Sequence, residues 1–258
     1  MSDLHWKTAI TKIEPNKILV RGYPVDQLMG KISFTEAIYL ILKGEMPSAQ
    51  VVMLLDAILV SSVDHGASPP SVLAARTVAS TGSELNASIA AGVLAISRFH
   101  GGAIEAGMRM FRAIAQRADE EAITEEEAAN AILSEMKKAK QRASGYGHRI
   151  HTEDPRTQRL FDLAEELGLA GRFVRIARAV EDTLAKALGK KLPINVDGAI
   201  AALLCQLDIP AEIGNAFFII PRVAGIIAHV HEEKSRMRPM RKIHPQDSEY
   251  DGPEERNP

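Results

Sequence analysis

The sequence has very little cysteine, few aromatic residues and no excess of charge of either sign. Its 258 residues include one cysteine, Cys205, so an intrachain disulfide is excluded and a reducing compartment is favoured. Lys and Arg total 31 against 33 Asp and Glu, which gives a formal net charge of −2. Because there is no basic excess to neutralise phosphates, we expect no nucleic-acid partner.

Long apolar stretches and a leader segment are also missing. The longest apolar runs that we identify, 51–60 and 87–96, are too short to span a bilayer. Residues 1–7 lack the apolar segment that follows a basic start in a secretory signal. We therefore expect no membrane partner and a cytoplasmic location. Cys205 follows the apolar run 201–204, and we interpret it as a core residue rather than a nucleophile.

What the sequence does contain is a series of helical segments joined by short breaks. Capping boxes beginning at Ser33 and Thr124 mark two helix starts, since each has a Glu three residues later. Helices are predicted at about 34–43, 49–61, 73–81, 86–99, 103–117, 125–140, 155–167, 171–188, 198–207 and 226–234. The helix at 86–99 is apolar nearly all round, so we expect it to be buried. Residues 10–21 alternate only weakly, and we interpret them as a short strand or an extended arm. Because no strands pair convincingly, the predicted fold class is all-α.

Residues 145–156, with the sequence GYGHRIHTEDPR, place a tight turn and a histidine just before a helix start. Glycines allow the backbone to turn sharply and to approach a ligand closely. Asp154 followed by Pro155 predicts an N-cap and a first helical turn. Arg156 in that turn would oppose the helix dipole, so we interpret it as a group that binds an anion. The same pattern also fits an ordinary turn into a surface helix.

Other polar residues stand at breaks between predicted helices, where loops commonly carry function. The histidines His65, His100 and His148 do so, and Asp197 lies in the break 192–198. We expect Asp197 to cap the helix that follows. Taken singly, a lone histidine is more often structural, and an Asp before Gly is more often only a cap.

Three arginines, Arg156, Arg222 and Arg238, each adjoin a proline. Most arginines are simply solvated, so this placement alone does not identify a site. No metal site is predicted. His229 and His231 are two residues apart, so on a helix they face different directions, and a single cysteine supplies no thiolate cluster.

Taken in order, these stretches resemble the citrate synthase family. The resembling segments, in the family's order, are 21–47, 64–81, 99–103, 145–156, 195–197, 221–229 and 238–239. They include FHGGA at 99–103, the GYGHRIHTEDPR stretch and NVD at 195–197. Because the series runs from Arg21 towards the C-terminus in one order, the chain is identified as a member of the family.

The resemblance implies a mostly helical fold in which a large and a small helical domain close over the ligands. Within a single unit of residues 1–258, the large lobe is expected at about 1–140 and 195–258 and the small lobe at about 141–194. The resemblance also implies a homodimer or a higher homo-oligomer. Coenzyme A thioesters would be substrate or product, with no permanently bound cofactor.

The resemblance further assigns roles to individual residues. The catalytic positions fall on His100, His148 and Asp197. The positions around the oxaloacetate or citrate moiety fall on His65, His148, Arg156, Arg222 and Arg238, of which Arg238 matches an arginine donated by the neighbouring subunit. The turn against which the adenine of the coenzyme lies corresponds to Gly145, Tyr146 and Gly147.

These residue types suit the making or breaking of a carbon–carbon bond beside a thioester. A desolvated carboxylate, Asp197, would exchange a proton with the weakly acidic acetyl carbon. His100 would donate a hydrogen bond to the enolate oxygen, and His148 would exchange a proton with the carbonyl or hydroxyl oxygen. Arginines would bind the substrate carboxylates in bidentate fashion.

Several positions depart from the pattern of the synthases. Ser97-Arg98-Phe99 replaces the usual Gly-Pro-Leu, Ile226-Ile227 replaces a Trp-containing step, and Gly198 replaces a bulkier residue. The sequence is also shorter than those of the synthases, and we expect it to be without their additional N-terminal segment. These features resemble the citryl-CoA lyase branch, including the citrate-synthase-like end of ATP-citrate lyase.

We therefore predict a metal-free lyase that cleaves citryl-CoA to acetyl-CoA and oxaloacetate. Two alternatives remain open at this point. One is a citrate or 2-methylcitrate synthase that runs the condensation. The other is a catalytically silent homologue that binds acyl-CoA, although a silent protein would have no need of the complete catalytic set.

Overall fold

The structure, a computed structural model, describes residues 6–147, 154–242 and 244–257. Within these residues the chain forms eleven α-helices, which confirms the predicted all-α class. The helices are α1 Val25–Leu28, α2 Phe34–Lys43, α3 Ala49–Ser62, α4 Pro70–Ser80, α5 Leu85–Leu94, α6 Ala103–Glu121, α7 Glu125–Lys138, α8 Pro155–Glu166, α9 Arg172–Leu188, α10 Val196–Gln206 and α11 Ala216–Arg236. Single 3-10 turns lie at Ala211–Ile213 and Pro245–Asp247.

A small antiparallel sheet precedes the helices, so the expectation that no strands pair is wrong for this segment. Strands β1 (Thr11–Glu14), β2 (Lys17–Val20) and β3 (Tyr23–Pro24) lie side by side in that order. Asn16 has a φ of 62°, which suits the tight turn between the first two strands. Every residue of β1 is exposed. The sequence of this strand therefore lacks the alternation of apolar and polar residues that predicts a half-buried strand.

The helix starts follow the predicted capping signals. The Oγ of Ser33 accepts the N–H of Glu36 at 3.2 Å, and a Glu36 carboxylate oxygen accepts the N–H of Ser33 at 2.6 Å. Thr124 and Glu127 form the same reciprocal pair at 3.2 and 2.8 Å. Asp154 caps α8 through its carboxylate, as predicted. Each such cap stabilises the fold by about 1 kcal/mol.

The chain divides into two compact units, one of residues 1–62 and 101–220 and the other of residues 63–100 and 221–258. In the first unit, α10 packs against α6, α8 and α9, and its residues from 198 to 205 are all buried. In the second unit, α4 packs along α5. The predicted large and small lobes were expected to close over the ligands. The division into two units does not test this movement, so the lobes stay a prediction.

Helix α5 differs from its prediction in length and in burial. It ends at Leu94, and residues 97–100 form a tight turn in which Ser97 and His100 exchange backbone hydrogen bonds of 2.8 Å. Leu94 and Phe99 are 81% and 94% exposed. The expectation that this apolar helix is fully buried is therefore wrong for the isolated chain, where much of its surface meets solvent.

Helix α11 continues through Pro221, which lies inside the helix. Together with the preceding turn it is long and apolar enough to cross a membrane by length and composition, with a mean hydropathy of 1.6. It also carries the buried charged side chains of Arg222 and Glu233. Because Ile226 and Val230 pack into a buried cluster with residues of α4, we interpret α11 as an interior helix.

Candidate active site

The turn Gly145-Tyr146-Gly147 is fixed by its fit against the segment that leads into α10. Gly145 and Gly147 have φ values of 89° and 84°, which favour glycine. The N–H of Gly147 donates to the carbonyl of Pro193 at 2.7 Å, and the N–H of Asn195 donates to the carbonyl of Gly145 at 3.0 Å. The turn and the start of α10 are therefore held together by backbone bonds.

Asn195, and not Asp197, caps α10, so the predicted cap is wrong by two residues. The Asn195 Oδ1 accepts the N–H of Gly198 at 3.2 Å, and its Nδ2 donates to the carbonyl of Gly147 at 2.8 Å. Asp197 instead lies within the first turn of the helix, where the dipole favours a negative charge. The signal was present in the sequence, since Asn is as good an N-cap as Asp.

Two glycines make the contact between the turn and α10 unusually close. A Cβ on Gly198 would lie 2.3 Å from the carbonyl oxygen of Gly145, and a Cβ on Gly145 would lie 2.6 Å from the Cα of Gly198. Real Cβ atoms essentially never come closer than 3.0 Å to such atoms, so a larger residue at either position requires a backbone shift. The contact directly follows Asp197 in the chain.

Tyr146 anchors the turn through its side chain. Its hydroxyl donates to the carbonyl of Ala177 at 2.8 Å, and its ring packs edge-on against Phe111 with a centroid distance of 6.4 Å. Burial, with a smaller contribution from the charge of Glu181, raises the pKa of Tyr146 well above its ordinary value. The phenol therefore stays protonated at neutral pH and serves as an anchor rather than as an acid or base.

Arg156 pairs with a carboxylate of its own motif. Its Nε and one terminal nitrogen donate to the two carboxylate oxygens of Asp154 at 3.0 and 2.8 Å. The other terminal nitrogen donates to the carbonyl of Ser61 at 3.4 Å. Burial raises the pKa of Asp154, but the hydrogen bonds and charge of Arg156 outweigh it and the pKa is lowered.

These three bonds engage three of the five N–H groups of the Arg156 guanidinium. The predicted contact with a substrate carboxylate would use the other two, and it stays a prediction. The predicted catalytic residue His148 lies outside the described residues, which resume at Asp154. Its role likewise stays a prediction.

In the second unit, His100 is held by a buried serine that the sequence analysis missed. The Nε2 of His100 lies 2.8 Å from the Oγ of Ser71, a fully buried residue in the first turn of α4. Burial lowers the pKa of His100 below its ordinary value, and the charges of Arg222 and His65 lower it further. The ring is therefore neutral at neutral pH. With Ser71 as the donor to Nε2, Nδ1 carries the ring proton.

Three predicted site residues of this unit, His65, His100 and Arg222, interact electrostatically. His65 and Arg222 both act on the pKa of His100. Arg222 lies within α11 and is only 2% exposed. A guanidinium beside a neutral histidine gives a region of positive potential, which favours an anionic ligand. Nothing in the sequence around Ser71 pointed to its contact, because a serine at a helix start is ordinary.

Arg238 lies two residues beyond the end of α11, in a segment that is tied to the end of α4. The N–H of Met240 donates to the carbonyl of Ser80 at 2.8 Å, and the N–H of Arg241 donates to the Ser80 Oγ at 3.0 Å. Arg238 is exposed and lies on the wall of a cavity of about 310 Å³. Its predicted role in the site of a neighbouring subunit stays a prediction.

Cys205 has the core position that the sequence predicted. It is 4% exposed within α10, and burial raises the pKa of its thiol to about 11. A neutral, buried thiol is a poor nucleophile. Among the residues that the structure describes, no group of three or more His, Cys, Asp or Glu side chains could hold a metal ion.

The sequence matches a family model and several curated relatives. The model of the citrate synthase C-terminal domain matches residues 4–53 and 47–246. Citrate synthase 2 of Bacillus subtilis is 30% identical over 218 residues, which is 83% of this chain and 54% of that protein. The chain spans about half the length of the curated relatives that it matches.

Solved structures resemble the whole chain. The structure of citryl-CoA lyase from Hydrogenobacter thermophilus has a TM-score of 0.89 and 42% identity, and the match covers 98% of this chain and 96% of that one. Citrate synthase from Thermoplasma acidophilum, in a ternary complex with carboxymethyl coenzyme A and oxaloacetate, has a TM-score of 0.70 and 26% identity. That match covers 87% of this chain and 58% of the synthase. This chain belongs to the citrate synthase family.

Proposed function

We propose that this protein is a citryl-CoA lyase that cleaves citryl-CoA to acetyl-CoA and oxaloacetate. The likeness to the Hydrogenobacter thermophilus lyase carries the proposal, because it is 42% in identity and extends over 96% of that chain. By contrast, this chain spans only about half of the citrate synthases that it matches. The match to the lyase covers 98% of this chain.

The first step would break the bond between the carbinol carbon and the methylene carbon of the thioester arm. His148 accepts the proton of the citryl hydroxyl, and the oxygen electron pair forms the carbonyl of oxaloacetate. The electron pair of the broken bond moves into the thioester and gives the enolate of acetyl-CoA. This is the reverse of a condensation, so the same residues would serve both directions.

The second step would stabilise and then protonate the enolate. The neutral ring of His100, held by Ser71, donates a hydrogen bond to the enolate oxygen from Nδ1. Asp197, entering the step as the acid, delivers a proton to the carbon and leaves as a carboxylate, so that a methyl group forms. Its position in the first turn of α10 favours that carboxylate product.

The substrate carboxylates would be bound by cationic and imidazole groups. Arg222 and His65 are proposed to supply such groups, and both act electrostatically on His100. A charge-assisted hydrogen bond contributes about 1.5–3 kcal/mol. The loss of one such contact is therefore expected to weaken binding roughly ten- to a hundredfold.

A citrate or 2-methylcitrate synthase is the second candidate, because curated relatives have those activities in their names. The 2-methylcitrate synthase of Shewanella oneidensis is 29% identical over 206 residues. The two substrates of such enzymes differ by one methylene of pocket volume, which discriminates by only about 1–3 kcal/mol. Activity assays are therefore needed to determine both the direction of the reaction and the preferred acyl group.

We further propose a homodimer or a higher homo-oligomer located in the cytoplasm, with Arg238 completing the site of the neighbour. The high exposure of the apolar side chains of Leu94 and Phe99 supports an oligomer, since exposed apolar groups are commonly covered at interfaces. The exposed guanidinium of Arg238 at the end of α11 is also compatible with such a contact. Coenzyme A thioesters are the only cofactor-like molecules that the proposed reaction requires.

Two coupled assays test the proposal on the purified protein. One follows oxaloacetate release from citryl-CoA through malate dehydrogenase, and the other follows thiol release from acetyl-CoA with oxaloacetate. We expect oxaloacetate release, and we expect Asp197→Asn to abolish it. Thiol release as the sole activity would favour the synthase. Tight acyl-CoA binding without either activity would favour a catalytically silent homologue.

A further inference from the structure

The loop that carries His65 is organised by the carboxylate of the preceding residue. One oxygen of Asp64 accepts the backbone N–H of Gly66 at 2.9 Å. The other oxygen lies 3.0 Å from the Nε2 of His229 in α11. Burial raises the pKa of Asp64, but the backbone N–H groups of Gly66 and His65 and the imidazole of His229 outweigh it and lower the pKa. Asp64 is thus ionised, and its carboxylate links the backbone of Gly66, the residue after His65, to the side chain of His229 in α11.

Helix α11 touches this loop at a second point, one turn before His229. A Cβ on Gly225 would lie 2.3 Å from the carbonyl oxygen of Val63 and 3.1 Å from a carboxylate oxygen of Asp64. The backbone of the helix therefore lies directly against residues 63 and 64. The side chain of His229 then reaches the Asp64 carboxylate from the next turn.

The helix face that holds the loop also carries Arg222. Positions 222, 225 and 229 are spaced by three and four residues, so they lie on one side of the helix. Arg222 and His65 both act electrostatically on His100. Helix α11 thus carries one proposed substrate-binding residue, Arg222, and holds the loop of another, His65.

We propose that His229 is a positioning residue, which acts through Asp64 to fix His65 beside Arg222 and His100. The inference rests on the proposed function, because it takes His65 as a ligand for a substrate carboxylate. Any freedom of the loop would move the His65 imidazole relative to Arg222. Such a displacement weakens substrate binding without touching the groups that transfer protons.

The exposure of the pair makes this role measurable. The side chains of His229 and Asp64 are 14% and 39% exposed, and partly exposed ion pairs contribute little to global stability. Glu232 also faces the imidazole, with a carboxylate oxygen 3.9 Å from the Nδ1 of His229. We therefore expect the protein to fold without His229 and to lose mainly the placement of His65.

The test uses the full chain and steady-state kinetics of citryl-CoA cleavage. His229→Phe removes the donor and keeps a ring, and we expect it to raise KM about tenfold while kcat changes less than threefold. His229→Gln keeps an amide donor and should recover most of the loss. The matched control is His231→Phe, an exposed position two residues along the same helix, which should leave KM unchanged.

A double-mutant cycle tests whether His229 acts through His65. In a His65→Ala background, we expect His229→Phe to have no further effect on KM, because the group that it positions is gone. Equal, additive effects in both backgrounds would overturn the inference, as would kinetics of His229→Phe that match those of His231→Phe. If His229→Phe does not fold, Asp64→Asn goes through the same cycle with the same expected outcomes.

The two levels of failure are distinguishable. A wild-type protein that releases no oxaloacetate from citryl-CoA contradicts the proposed function, whatever His229 does. A wild-type protein that does so, with additive effects of His229 and His65, contradicts only the positioning role.

Discussion

Replacing Gly198 with alanine tests how the turn Gly145-Tyr146-Gly147 and Asp197 depend on one another. On helix propensity alone, Gly198→Ala should stabilise α10 by roughly 0.5–1 kcal/mol. The new Cβ, however, would lie 2.3 Å from the carbonyl oxygen of Gly145. Relieving that overlap to the 3.0 Å limit requires a shift of at least about 0.7 Å between the turn and the helix.

The expected effect on stability is modest and the effect on activity is large. Overpacking of this kind costs about 1–3 kcal/mol, and the propensity gain offsets part of it. The net loss should therefore be at most about 2.5 kcal/mol. A misplacement of about 1 Å at a catalytic group can reduce the rate roughly a hundredfold, so kcat/KM for citryl-CoA should fall by about that factor.

Thermal unfolding and steady-state cleavage of citryl-CoA, measured on the same preparations, separate these effects. Gly168→Ala is the matched control, because Gly168 has a φ of 68° and open space around its Cβ position. It should lose about 1 kcal/mol of stability from backbone strain and retain its activity. The reasoning is refuted if Gly198→Ala keeps kcat/KM within twofold of the wild type.

Three further predictions concern single residues. Arg222→Met should raise the KM for citryl-CoA roughly ten- to a hundredfold with a smaller change in kcat, measured by the coupled assay; an unchanged KM would remove Arg222 from the site. Glu233→Gln should destabilise the protein by about 3 kcal/mol at pH 7, because it leaves Arg76 and Arg241 without their buried carboxylate. Burial raises the pKa of Glu233, but hydrogen bonds from those arginines outweigh it and lower the pKa below 4.5. The contribution of Glu233 to the free energy of unfolding is therefore present above pH 4.5 and is lost as pH falls through the lowered pKa. Urea unfolding of both proteins at pH 7 and pH 3 should show their difference in stability closing in acid, and a constant difference would contradict this. Cys205 should resist iodoacetamide at pH 8 in the native protein and react after denaturation, because its thiol pKa is about 11; mass spectrometry that finds rapid native alkylation would show that the thiol is accessible.

Local signals predicted the helices well because each signal acts within a few residues. The capping boxes at Ser33 and Thr124 and the Asp154 cap form through contacts between near neighbours in sequence. The same locality explains the failure at α10. Asn195 and Asp197 are both good caps, and the choice between them depends on a bond from Asn195 to Gly147, far away in the chain.

Contacts that depend on folding were not predictable from spacing. Ser71 lies 29 residues from His100, and Asp64 lies 165 residues from His229. The pairing of Arg156 with Asp154 was also missed, although the two are close in sequence, because the argument from the helix dipole considered only an external anion. The prediction that α5 is buried was wrong, because an apolar composition does not say whether the surface of a helix is covered by its own chain or by another chain.

The direction of catalysis by the purified wild-type protein is the most direct test of the proposed lyase activity. With citryl-CoA as the only substrate, we expect stoichiometric release of oxaloacetate and acetyl-CoA, and loss of both products in Asp197→Asn. Condensation of acetyl-CoA with oxaloacetate to free citrate and coenzyme A, with no cleavage of supplied citryl-CoA to oxaloacetate, would contradict it.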